Sequence, residues 1–64
     1  MRFNDSMAIA TKARQLVDRH GEQATTIAMG EASRMETLGD AEGRTDWLCV
    51  MISAQQMLVS QHGW

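Results

Sequence analysis

Proline is absent from this 64-residue chain, tyrosine is absent too, and cysteine occurs once. Without proline, no ring removes a backbone donor or kinks a helix from within. The single Cys49 excludes an internal disulfide, and a lone thiol suits a reducing cytoplasm. Cys49 lies inside an apolar run, where a structural role is the simpler reading. Aromatic and β-branched residues are few, and no stretch alternates at period two, which argues against strands. Charge is missing from one region only: Trp47 to Trp64 contains no Lys, Arg, Asp or Glu. That stretch is not a membrane span. Only Trp47–Ile52 is continuously apolar, and Ser53, Gln55, Gln56, Ser60, Gln61 and His62 interrupt the rest. The N-terminal residues hold no apolar leader core, since Asp5 and Lys12 break it, so a cytoplasmic location is expected.

The charges that are present are interleaved over residues 2–46 and sum to −2. A protein built to neutralise phosphates would instead show a clustered basic face. Sixty-four residues make one domain, 1–64. A chain of this size buries only roughly 60% of its unfolded surface, so its stability alone is expected to be marginal.

Ala, Met, Gln, Glu and Arg are abundant, which favours helix throughout. The periodicity predicts an all-α fold, a small three-helix bundle with helices at 6–20, 22–38 and 41–61. Helix one starts near Asp5 or Ser6, both good N-caps. It carries a stripe of Ile9, Ala13, Leu16, Val17 and His20. Gly21 follows a cationic last turn and suits a left-handed stop. Helix two places Ala24, Ile27, Ala28, Ala32, Met35 and Leu38 on one face, and Gly39 ends it. Asp40 is a candidate cap for helix three. Gly43 is a poor helix residue, however, which leaves Thr45 or Asp46 as alternative caps. Trp47, Met51, Ala54, Leu58 and Gln61 form a heptad-like stripe, flanked by Val50 and Met57. Leu48, Ile52 and Val59 form a second stripe, rotated by about 100 to 140 degrees from the first.

Several short motifs recur in a known arrangement: His20-Gly21, Ile27-Ala28, Gly39-Asp40, Gly43, Trp47 and Leu58. Over residues 13–58 this layout resembles small uncharacterised bacterial helical proteins grouped as a domain of unknown function. The resemblance implies a compact helical fold and carries no activity with it.

The inventory points to no enzyme. His20, His62 and Cys49 are far apart and lack ligand spacing, so no metal or other cofactor is expected. Six methionines serve better as gap fillers than as copper ligands. HGEQAT and GDAEGR match neither the P-loop nor the dinucleotide fingerprint. If Gly30 were the turn of a helix-turn-helix, Glu31 and Glu36 would fall on positions that such a motif keeps apolar. Glu31 projects into the apolar arc of helix two. It either reaches a rim, paired most simply with Arg34 or otherwise with Arg14 or Arg44, or it is a charge that sets specificity at an interface. Trp64 either frays or anchors a contact.

The expectation is therefore a small cytoplasmic interaction protein, a homodimer or a binder of another protein. Its candidate surface is Leu48, Ile52 and Val59 on helix three, with Glu31 as a candidate interface charge. The alternative is a nucleic-acid-binding regulator using Lys12, Arg14, Arg19 and Arg34. What the second stripe of helix three meets, its own chain or another, separates a self-contained bundle from an assembly.

Overall fold

A computed structural model describes residues 6–62, and side chains within 7–60. Among the described residues there are no strands. Helix α1 spans Ser6–His20, a 3-10 turn spans Gly21–Gln23, α2 spans Ala24–Thr37 and α3 spans Ala41–His62. The expected cap Asp5 and the terminal Trp64 lie outside the described residues.

The first helix ends where its last turn turns cationic, at Arg19 and His20. Gly21 then takes φ +59, the left-handed conformation that glycine adopts without a Cβ penalty. The chain does not leave the helical path for long. The expected second helix at Glu22 begins instead at Ala24, because residues 21–23 tighten into 3-10 geometry. No side chain caps this start; the Ala24 N–H bonds back to the Gly21 carbonyl. Residues 6–37 thus form one bent helical arm.

A different solution joins α2 to α3. Gly39 takes φ +76. Its N–H bonds the Glu36 carbonyl at 3.0 Å, and the Asp40 N–H bonds the Met35 carbonyl at 2.8 Å. This is the paired reach-back of a Schellman motif. Asp40 also opens the next helix: its Oδ1 accepts the Gly43 N–H at 2.9 Å. One residue therefore closes α2 and caps α3, which settles the cap in favour of Asp40 over Thr45 or Asp46. Gly43 is buried at this corner. A Cβ there would stand 2.5 Å from the Asp40 carboxylate and 3.0 Å from the Met35 sulfur. The residue that reads as a weak point of the helix is the one that lets the cap fit.

Helix α3 packs along both α1 and α2, whereas α1 and α2 touch each other only slightly. The molecule is correspondingly long, 40 × 21 × 17 Å. The all-α class stands. The compact three-helix bundle is realised only in part, because the arm bends without folding back on itself. The core joins Ala13, Leu16 and Val17 of α1, Ala24 and Ala28 of α2, and Val50 and Ala54 of α3. Ile9, Ile27, Trp47, Met51, Met57 and Leu58 pack around it. Among the described residues, two expected members of the main apolar faces are exposed. His20 is exposed at the end of α1. Leu38 is 67% exposed because α2 ends at Thr37 and the chain turns away from the packing face.

Two glycines in helices respond oppositely to the same change. At Gly43, alanine gains about 1 kcal/mol of helix propensity but displaces a cap of comparable or larger worth, and it crowds Met35. Gly43→Ala is expected to lower the unfolding free energy by about 1 to 2 kcal/mol. At Gly30 a Cβ would meet nothing within 4 Å, so Gly30→Ala is expected to raise it by roughly 0.5 to 1 kcal/mol. Urea denaturation of the two variants beside wild type checks both signs.

Candidate interaction surface

A surface helix of a small protein normally turns one side to the core and a charged side to water. The α3 helix departs from this. Its inner side carries Val50 and Ala54, both fully buried, with Gly43 and Asp46 in line. Trp47 and Met57 flank them, and the Lys12 ammonium lies over the Trp47 ring at 5.8 Å, tying α1 to α3. The outer side carries Leu48, Ile52 and Val59. Leu48 is half-buried, Ile52 is 51% exposed and Val59 is 62% exposed. The second stripe therefore does not enter the core of its own chain at Ile52 and Val59.

Two shallow grooves border this stripe. On one side Ile52 and Val59 sit with Gln55, Gln56 and Ser60. On the other, Val59 joins Met29, Met51 and Leu58 in a cleft between α2 and α3, with Glu22 and Thr25 at its edge. Met29 is 55% exposed, so the apolar surface continues from α3 onto α2. In the sequence Met29 is visible only as a residue off the main stripe of its helix. Its proximity to Val59 depends on how α2 crosses α3, and no spacing rule supplies that.

Glu31 lies on the edge of the α2 packing face and is half-buried. Its Oε1 stands 3.7 Å from Nη1 of Arg34, the partner one turn away. Exposed pairs of this kind contribute about 0 to 1 kcal/mol. Neither of the two grooves beside the α3 stripe includes Glu31. Arg14 stands 3.8 Å from Asp18, and Arg44 reaches Glu36 at 3.6 Å across the α2–α3 corner. Of the basic residues considered for nucleic acid, Lys12 thus faces an aromatic ring, while Arg14 and Arg34 face carboxylates. Gly30 lies within α2, so no turn interrupts the helix there.

Among the described residues, no three His, Cys, Asp or Glu side chains gather as a metal site would require. None of the described helices is long and apolar enough to cross a membrane. Cys49 is a half-buried free thiol on α3.

No family model matches the chain, and no curated protein or solved structure matches it either.

The pairing of Glu31 with Arg34 gives a direct expectation. Glu31→Gln should change the unfolding free energy by less than about 1 kcal/mol, and the small difference should shrink in high salt. Thermal denaturation at two ionic strengths measures both.

Proposed function

We propose that this chain is a small interaction protein that assembles with copies of itself through the outer face of α3. The observation that carries this reading is the exposure of Ile52 and Val59, 51% and 62%, on a stretch with no formal charge. Apolar side chains on an uncharged helix face lose little by leaving water and gain by meeting a similar face. Small domains with thin cores commonly gain stability by association. In this reading a second subunit completes the helical bundle that one subunit leaves open, and Met29 extends the contact onto α2. Cys49 needs no partner in such an assembly, which suits a reducing cytoplasm.

The exposed apolar side chains on this face are few, so the affinity should be modest. A dissociation constant roughly in the micromolar range corresponds to about −8 kcal/mol. Sedimentation equilibrium between about 0.1 and 200 µM (about one decade below and two above such a dissociation constant) should show a monomer–dimer transition. Ile52→Asp and Val59→Asp should shift it to monomer while leaving the helical circular dichroism intact, since both side chains are already exposed. Val50→Asp should unfold the chain instead. A wild-type chain that stays monomeric throughout would remove the proposal.

A further inference from the structure

The outer face of α3 is more extensive than its three large apolar residues. Ala41, Thr45, Leu48, Ile52, Gln55 and Val59 follow one another at spacings of four, three, four, three and four. At 3.6 residues per turn these six positions stay within about 40 degrees of a single line along the helix. Val50, Ala54 and Gly43, the buried side, lie opposite that line. All six residues are uncharged, and all but the half-buried Leu48 are exposed. Alternation of four and three is the seam of a two-stranded coiled coil. The α1 and α2 helices sit against the other side of α3 and leave this seam open.

We infer that the seam receives the α3 of a second copy in antiparallel orientation, centred near residue 50. The inference rests on the self-association proposed above and adds its register. In this arrangement Leu48 faces Ile52 of the second copy, twice, at the centre. Thr45 faces Gln55, and Ala41 faces Val59. The outer layers, Ala41 with Val59 and Thr45 with Gln55, then pair a smaller side chain with a larger one, and the two central layers pair the isomeric Leu48 and Ile52, which fills space evenly. A parallel pair would set Ala41 against Ala41 and leave a gap at that end.

The polar layer is chemically matched. The Thr45 hydroxyl donates to the Ala41 carbonyl at 3.1 Å within its own helix. Its oxygen can still accept, and the Gln55 amide of the second copy is the donor that the register brings to it. Such a layer disfavours slipped registers, because a slip by one layer leaves amide and hydroxyl against aliphatic side chains. Antiparallel pairing also carries Arg44 of one copy, which holds Glu36 of its own chain by an exposed ion pair, toward the Leu58 flank of the other, where Glu22 edges the cleft and adds a second carboxylate.

The test uses the whole chain in a Cys49→Ser background, with Thr45→Cys and Gln55→Cys made as separate proteins. Each is oxidised alone and as an equal mixture, and covalent dimers are resolved by non-reducing electrophoresis and mass spectrometry. The expected result is a covalent dimer in the mixture alone, joining one Thr45→Cys chain to one Gln55→Cys chain. Efficient crosslinking of either variant by itself would mean a parallel pair and overturn the inference. If none crosslinks while sedimentation still finds a dimer of the reduced proteins, another face is in use. The register then fails, and self-association survives. If the reduced proteins and wild type are both monomeric at 200 µM, on the order of a hundred times a micromolar dissociation constant, both readings fail.

Discussion

The contact on which the fold depends is the meeting of Val50 and Ala54 with the alanine-rich sides of α1 and α2. Ala13, Ala24, Ala28 and Ala54 are fully buried, and among the described residues Val50 is the one larger side chain that water does not reach at all. Small residues let helix backbones approach closely, so dispersion is gained over a broad contact. They also keep the core thin, because an alanine removes little apolar surface from water. The larger apolar side chains, Trp47, Met51, Met57 and Leu58, sit around this core half-covered. A domain built so has little buried apolar surface in reserve.

The corner between α2 and α3 makes that contact possible. A short reversal brings consecutive helices together antiparallel, and here it occupies Leu38, Gly39 and Asp40. Backbone groups that would be orphaned at both helix ends find partners within the turn. The left-handed Gly39 directs the chain back, Asp40 serves both helices, and the missing Cβ of Gly43 leaves room for its carboxylate. The ion pair of Arg44 with Glu36 spans the same corner but is exposed, so it adds little.

Much of this was legible in the sequence, and the exceptions have physical causes. The stops at Gly21 and Gly39 follow from glycine's access to positive φ, and the stripe Ala13, Leu16 and Val17 follows from helical spacing. The pairing of Glu31 with Arg34 needs only one turn of helix. Gly43 reads as a weak helix residue because propensity scales describe an isolated position, whereas its role comes from the Asp40 carboxylate packed beside it. Leu38 fits the α2 stripe by spacing but falls past the helix end. Val50 reads as a flank of the α3 stripe and is its centre, because α1 and α2 approach from two directions and the midpoint between them faces inward.

The two sides of α3 show where sequence stops and tertiary structure begins. Composition and periodicity determine that residues 41–61 are helical and carry two apolar stripes, since both follow from interactions within a few residues. They point to Trp47, Met51, Ala54 and Leu58 as core but do not determine what the smaller stripe, Leu48, Ile52 and Val59, meets, because that depends on contacts between elements far apart in the sequence. That outcome belongs to the approach of α1 and α2, whose alanine faces fit closely only around Val50 and Ala54. With that side taken, geometry leaves Ile52 and Val59 outward, and a stretch without charges becomes one face of core and one face of surface.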